Sequence, residues 1–274
     1  MVERYNTTIL KGVPMESVFC EPRRVDDVDS CEFYHVMDNP EGGVWGGKWD
    51  LRANLDAYLG HTQFSGRKVL DVGTASGFLC FEMEKRGADV TAYDIAPDGE
   101  WDIVPFAQHD YKGNSKEFRA YVERFKNAFW YAHARVQSRA QCVYGSVYDM
   151  PEAMGRFDMA VYGCILLHLR DPFRALENGL RLVKDTVIVT DLVPTKLFDA
   201  EGKISDVPYM EFLPDFKTLK NKEAWWLLSP KIIQQFIGVL GFGESEVVYH
   251  TQYLNGLEMK LFTVVGKRTS GQPV

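Results

Sequence analysis

The sequence predicts an α/β protein: a mostly parallel sheet with helices on both faces, finished by an antiparallel hairpin. Three observations carry this. Short apolar runs alternate with helical stripes between Lys68 and Thr190, the pattern of strands joined by crossover helices. Two β-rich runs, Ser245–Tyr253 and Glu258–Val265, flank Asn255-Gly256, a strong hairpin signal. A turn with two glycines, Asp71-Val72-Gly73-Thr74-Ala75-Ser76-Gly77, leaves the first strand where such sheets bind ligands.

Taken in order, residues 1–48 are irregular. Trp49, Leu51, Leu55, Tyr58 and Leu59 recur at helical spacing, so a helix is expected there, ended by Gly60. Strands follow at 68–72, 89–93, 142–144, 157–162 and 186–190, and the hairpin brings the count to seven. A helix from Gly77 to Arg86 is closed by Gly87. The stripe Phe118, Tyr121, Val122, Phe125, Phe129 and Ala132 marks a long amphipathic helix over 115–136. Further helices run from Pro172 to Val183 and from Ser229-Pro230 to Leu240, the latter with proline where a missing N–H costs least. Residues 192–226, rich in proline and aromatics, break the alternation. The expected organisation is a cap over 1–60, a domain over 61–268 with an insertion at about 192–226, and a flexible tail over 269–274.

Composition bounds the function. The net charge of −7 argues against a wide nucleic-acid face, although a local basic patch is not excluded. The basic residues of the long helix read as a solvated face more readily than as an anion site. No apolar run is long enough for a membrane span and no leader pattern opens the chain, so a cytoplasmic protein is expected. The five cysteines (Cys20, Cys31, Cys80, Cys142 and Cys164) form no CxxC pair and read as reduced thiols. No metal-ligand spacing appears; a divalent cation at Asp191 is chemically compatible but unsupported. A homodimer is compatible with everything in the sequence.

The turn points to a particular ligand. Gly73 and Gly77 permit close approach, and the helix opening near Ser76 directs backbone N–H groups toward the turn. A pyrophosphate site usually shows G-x-G-x-x-G, whereas here an acid precedes the first glycine and Ala75 stands where a middle glycine is common. Asp71 would repel a pyrophosphate and suits an ammonium or anchors the loop. Asp94, at the end of the next strand, can accept both hydroxyls of a ribose. Together they suggest an adenosyl ligand bearing an amino acid.

Val69 to Gly77 resembles motif I of the class I S-adenosylmethionine (SAM)-dependent methyltransferases. Gly145-Ser146-Val147-Tyr148-Asp149-Met150-Pro151 resembles their adenine loop, with Ser146 where an aspartate is common. Phe157 to Tyr162 and Leu166-Leu167-His168-Leu169-Arg170-Asp171-Pro172 resemble motif IV and the segment after it. The resemblance implies a Rossmann-like fold, SAM as cofactor, and a cofactor site from Lys48, Asp71, Gly73, Thr74, Ser76, Gly77, Asp94, Ser146, Val147 and Gly163. Within the family the chain is most similar to the tRNA uridine-5-oxyacetic acid carboxymethyltransferase group, through Lys48-Trp49-Asp50, the His168 segment and the Ser229-Pro230 helix. Leu167, where that group has tyrosine, and the lack of its long N-terminal region point to ordinary SAM and another substrate.

For the chemistry, His168 is the candidate general base, since imidazole titrates near neutral pH; the same position serves packing equally well. Asp191, ending the fifth strand, is expected to orient the acceptor or assist His168. Trp49, Cys164, Tyr209 and Trp225 are the candidate acceptor pocket, with the insertion as a lid. The leading reading is O-methylation of a small polyhydroxylated acceptor, a sugar or natural product. Alternatives are a tRNA wobble-uridine (carboxy)methyltransferase, a non-catalytic SAM-binding protein and, last, an NAD-dependent oxidoreductase.

Overall fold

The computed structural model describes residues 17–99, 101–108, 111–199 and 201–271, and of residues 111–115 only the backbone. The first sixteen residues of the expected cap and the last three of the expected tail lie outside these.

Three two-residue strands come first: β1 (Met37–Asp38), β2 (Val44–Trp45) and β3 (Trp49–Asp50). The parallel part of the main sheet is β4 (Lys68–Val72), β5 (Asp89–Asp94), β6 (Gln141–Tyr144), β7 (Phe157–Gly163) and β8 (Val183–Leu192). Two short strands of the insertion, β9 (Met210–Phe212) and β10 (Trp226–Leu228), pair with each other. The hairpin β11 (Glu244–Leu254) and β12 (Leu257–Lys267) closes the chain. The eight-stranded sheet runs β3-β11-β12-β8-β7-β4-β5-β6, with β12 antiparallel to β8. The order departs in both directions from β4, which places the ligand crevice beyond its carboxyl end.

Seven of these strands are the expected ones. The eighth, β3, replaces the start of the helix expected over 49–59. Trp49 and Asp50 pair with Leu254 and Tyr253, a 3-10 turn follows at Arg52–Asn54, and only α1 (Leu55–Tyr58) is α-helical. The helical spacing of apolar residues had another cause. Trp49, Leu51, Leu55, Tyr58 and Leu59 are all buried, and a sheet edge followed by one helical turn buries them as well as a continuous helix would. Arg52 fixes the bend by reaching both Asp50 and Asp38.

Helices cover both faces. On one side, α2 (Phe78–Lys85) and α3 (Tyr111–Arg135) enclose a core with Trp49, Tyr58, Phe81 and Phe129. On the other, α4 (Pro172–Leu180) and α5 (Pro230–Val239) pack Leu176, Ile233 and Ile237 against Val187, Val189 and Phe262. Each such side chain contributes roughly 1.5–3 kcal/mol through burial. In α3 the buried set Val122, Phe125, Ala128, Phe129 and Ala132 follows the expected stripe. Phe118 instead meets Trp101 edge-on, with centroids 4.3 Å apart.

The insertion is latched down at several points. Trp225 packs with Val104 and Phe106. Its indole N–H donates to the Asp102 carbonyl at 2.5 Å, and its backbone N–H to the Leu167 carbonyl at 2.8 Å. Ser229 anchors the exit. Its hydroxyl oxygen accepts from the Ile232 N–H at the start of α5 (3.2 Å) and from the Tyr209 N–H (2.9 Å), while the hydroxyl donates to the Val207 carbonyl (2.8 Å). The side chain is fully buried, so Ser229→Ala leaves three groups without their partner. A loss of about 2–3 kcal/mol in urea unfolding is expected. A change below about 0.5 kcal/mol would show that Ser229 does not tie the insertion to α5.

Candidate active site

The turn after β4 is held by hydrogen bonds rather than by a large core. The N–H groups of Gly73 and Thr74 donate to the Tyr93 carbonyl (2.8 and 3.3 Å), and the Gly77 N–H donates to the Thr74 carbonyl (2.8 Å). Gly73, Ala75 and Gly77 have φ of +79°, +49° and +91°. At Gly73 a Cβ would fall 2.4 Å from Ile165 Cδ1, and at Gly77 2.5 Å from the Phe81 ring, so both positions require glycine. Ala75 tolerates the left-handed region at a cost of about 1–2 kcal/mol. Its N–H is what the conformation exposes: it donates to Asp94 Oδ2 at 2.7 Å.

Asp94 Oδ1 accepts from the Ile95 N–H at 2.8 Å. Each carboxylate oxygen therefore keeps a free lone pair at the end of β5. Burial pushes this carboxyl above its usual range, and Lys126 together with the two N–H groups pulls it back. Asp71, in contrast, lies beneath the turn at 1 % exposure. Burial raises it to about 7, Asp94 adds to that, and Thr74 and the Cys80 N–H act against it. This location suits a loop anchor rather than an ammonium ligand, the second of the two roles expected for it.

Several buried polar atoms around the crevice have no hydrogen-bond partner: Asp71 Oδ2, Thr74 Oγ1 and Lys126 Nζ near the turn, and Asp191 Oδ2 beyond it. Buried polar groups are normally paired, so an unpartnered one such as Lys126 Nζ fits a site completed by a polar ligand, whereas Asp71 and Thr74 act on each other beneath the turn. Ser146 is exposed, and its Oγ accepts from the Tyr148 N–H at 3.2 Å while keeping its own proton to donate. Val147 beside it is half-buried. Tyr93 braces this loop, its hydroxyl donating to the Ser146 carbonyl at 2.9 Å.

The cap folds onto the turn. The Tyr34 N–H donates to Ser76 Oγ at 3.1 Å, and the N–H groups of Lys48 and Trp49 donate to the Tyr34 carbonyl (3.0 and 3.2 Å). Lys48 Nζ donates to the Tyr121 hydroxyl at 3.1 Å, and that partner raises its pKa. Burial pushes the Tyr34 phenol up to about 12, with Cys164, Tyr121 and Glu223 adding to it and Trp49 opposing. Cap, α3, insertion and the end of β7 thus meet around Tyr34. Trp49, expected in the acceptor pocket, is itself buried and spends its backbone on the sheet edge.

At the ends of β7 and β8, Gly163 and Cys164 meet Tyr58 and Asp191. A Cβ on Gly163 would lie 2.8 Å from the Tyr58 hydroxyl, and Cys164 has φ of +51°. Burial, with Asp191 adding, keeps the Cys164 thiol protonated. Asp191 is fully buried, accepts from the Leu192 N–H through Oδ1 at 2.8 Å, and is raised by burial to about 7. His168 stands apart from this cluster, in the turn at Leu166–His168. Its Nδ1 lies 2.5 Å from the Glu223 carbonyl, which can only accept, so Nδ1 carries the proton and Nε2 is the basic atom. Burial lowers its pKa from the usual 6.5, and Glu223 opposes.

Two residues expected in the acceptor pocket are engaged within the insertion. Trp225 is a buried latch at 7 % exposure, both of its N–H groups being used in holding the insertion. The Tyr209 hydroxyl donates to Glu211 at 2.8 Å, and no hydrogen bond among the described residues joins it to His168, Cys164 or Asp191. Tyr34, Tyr58, Tyr121 and Glu223 were not expected here; each comes from a segment without a motif. Asp102 was also missed: it accepts from the Tyr148 hydroxyl and, at 2.8 Å, from the Arg170 N–H, joining the adenine-type loop to the His168 segment. Among the described residues no group of three or more histidine, cysteine, aspartate and glutamate side chains is placed to hold a metal, and no helix is long and apolar enough to cross a membrane.

The raised Asp191 carboxyl has a measurable consequence. Between about pH 4 and about 7 the folded chain keeps a proton there that the unfolded chain, at its ordinary 3.8, releases. Wild-type stability therefore loses about 1.4 kcal/mol per pH unit from this group as pH rises through that window. Asp191→Asn keeps the acceptor for Leu192 and does not titrate. Its stability relative to wild type should rise from pH 5 to pH 7 in urea unfolding; a constant difference would mean that Asp191 is ionised throughout.

The sequence model of a family described as "Methyltransferase domain" matches residues 49–234, well over half of the chain. A curated relative, a tRNA U34 carboxymethyltransferase of Idiomarina loihiensis, is 27% identical over 193 residues, 68% of this chain and 48% of that protein. The chain thus spans about half the length of this relative. Among solved structures, the 1,6-didemethyltoxoflavin-N1-methyltransferase of Burkholderia thailandensis is similar with a TM-score of 0.47 at 15% identity, covering 80% of this chain and 76% of that one. A SAM-dependent methyltransferase of Aquifex aeolicus gives 0.46 at 14% identity, covering 81% and 91%. With the glycine turn, the strand-end acid and the hairpin-ended sheet in place, the match over residues 49–234 makes the chain a member of the class I SAM-dependent methyltransferase family.

Proposed function

We propose that this chain transfers the methyl group of SAM to a hydroxyl of a small polyhydroxylated acceptor, a sugar or a natural product. The observation that carries this reading is the fixed tautomer of His168. The Glu223 carbonyl holds the Nδ1 proton, and burial keeps the ring neutral at physiological pH, so Nε2 is ready to take a hydroxyl proton.

The cofactor would be held by the Gly73–Gly77 backbone, by Asp94 at the ribose, and by Ser146 and Val147 at the adenine. When bound, SAM supplies an electrophilic methyl group that moves by in-line displacement. The remaining work falls to the chain. Positioning the acceptor contributes most of the rate, and the latched insertion and the cap provide the walls that exclude water. Asp191, buried behind Cys164, acts by orienting the acceptor's surroundings rather than by touching it.

His168→Gln should lower kcat on an identified acceptor by about 10²- to 10⁴-fold and leave the affinity for S-adenosylhomocysteine (SAH) within twofold. In wild type, the fall in kcat/KM caused by protonation of Nε2 should lie below pH 6.5 and should be absent from the residual activity of His168→Gln. SAH release from a panel of sugars and phenolic polyols identifies the acceptor. Unchanged turnover in His168→Gln would remove the base assignment.

A second reading is modification of a tRNA wobble uridine, motivated by the curated relative and by Lys48, whose charge sits at the cap–α3 contact. Salt-dependent tRNA binding at low ionic strength would favour it, and lack of binding there would dismiss it.

A further inference from the structure

Lys126 departs from the solvated helix face expected of it. It lies in α3 between the buried Phe125 and the half-buried Asn127, and it is itself only 2 % exposed. Its ammonium has no hydrogen-bond partner and rests 4.8 Å from the centre of the Tyr144 ring. Tyr144 is the register partner of Asp94 across β5 and β6, so the ammonium stands over the residue beside the strand-end acid.

The charges around it are accounted for. Glu123 is taken by Arg23, at 2.5 Å. Asp94 attracts Lys126, but no ion pair within 4.0 Å joins them, and each Asp94 oxygen is already held by a backbone N–H. The Cys142 sulfur and the Arg23 guanidinium also act on the ammonium, and Lys126 in turn helps lower the Cys20 thiol, which is hydrogen-bonded to Cys142, to about 7. Tyr144 presents its ring face, and its hydroxyl accepts from the Trp130 indole at 3.0 Å. A buried ammonium without an acceptor is costly, and one ring face offsets that cost only in part. An oxygen lone pair arriving beside Asp94 would supply the acceptor that the ammonium lacks.

A sugar hydroxyl has the matching chemistry: its proton goes to a carboxylate while its oxygen accepts from an ammonium. We propose that Lys126 is a ribose-binding residue, donating to the oxygen of a hydroxyl whose proton is held by Asp94. This rests on the reading of the Gly73–Gly77 crevice as the adenosyl site. It adds a cation to that site from α3, a helix that carries none of the family motifs.

The test is calorimetric binding of SAH and of its 2′-deoxy and 3′-deoxy analogues to the full chain, as wild type, Lys126→Met and Lys126→Gln. Wild type should lose at least tenfold in affinity for one deoxy analogue. Lys126→Met should bind SAH at least tenfold more weakly and pay twofold or less for that same missing hydroxyl. Lys126→Gln, which keeps an N–H donor, should fall between the two. Ligand-free Lys126→Met should be at least as stable as wild type in urea, because an unpartnered charge has left the core. Should Lys126→Met not fold, the Lys126→Gln series decides alone. Affinity for SAH within twofold of wild type overturns the proposal. So does an undiminished deoxy penalty, since Lys126 would then act only as a distant counter-charge to Asp94. If wild type binds neither SAM nor SAH, the adenosyl reading of the crevice fails, and the proposal with it.

Discussion

The hydrogen bond from the Ala75 N–H to Asp94 Oδ2, 2.7 Å long, joins the turn after β4 to the end of β5. It requires Ala75 in the left-handed region between two glycines that are also there, and it holds the half-buried carboxyl of Asp94 in place. Everything else near the crevice is built around that contact. The Tyr93 carbonyl collects the first two N–H groups of the turn, and the Tyr93 hydroxyl braces the loop after β6. The turn's Ser76 hydroxyl then receives the cap through Tyr34. A site made this way is positioned by backbone geometry, which tolerates side-chain variation elsewhere.

The opposite wall is assembled from segments far apart in the chain. Glu223 of the insertion fixes His168, Asp102 of the loop after β5 fixes Arg170 and Tyr148, and Trp225 closes the two together. The electrostatic character follows from burial. Asp71 and Asp191 are pushed toward neutrality, His35 is held neutral with its pKa lowered to about 3, and the Cys164 thiol stays protonated. The fixed charges around the crevice are those of Asp94, Glu223 and the ammonium groups of Lys48 and Lys126.

The sheet and the donor side were legible in the sequence because their signals are local. A buried parallel strand is a short apolar run, Asn255-Gly256 is a hairpin on its own, and the glycines of the turn are required by positive φ. The acceptor side was not legible, because its residues meet only in three dimensions. Tyr34 and Tyr121 sit in an irregular stretch and on a helix stripe, and Tyr58 reads as core in either secondary structure. The latch role of Trp225 is not marked in the sequence, because an aromatic in an insertion packs inward or faces a ligand with the same local pattern. Lys126 was hidden for a related reason: among the charges of α3, nothing in the sequence marks the one that points into the core.

The most direct test of the account is a thermal-shift and calorimetric comparison of SAH with NAD on the full chain. SAH should bind one site per chain and raise Tm in a concentration-dependent way, NAD should do neither, and Asp94→Asn should abolish the SAH response. Stabilisation by NAD without stabilisation by SAH would contradict the account.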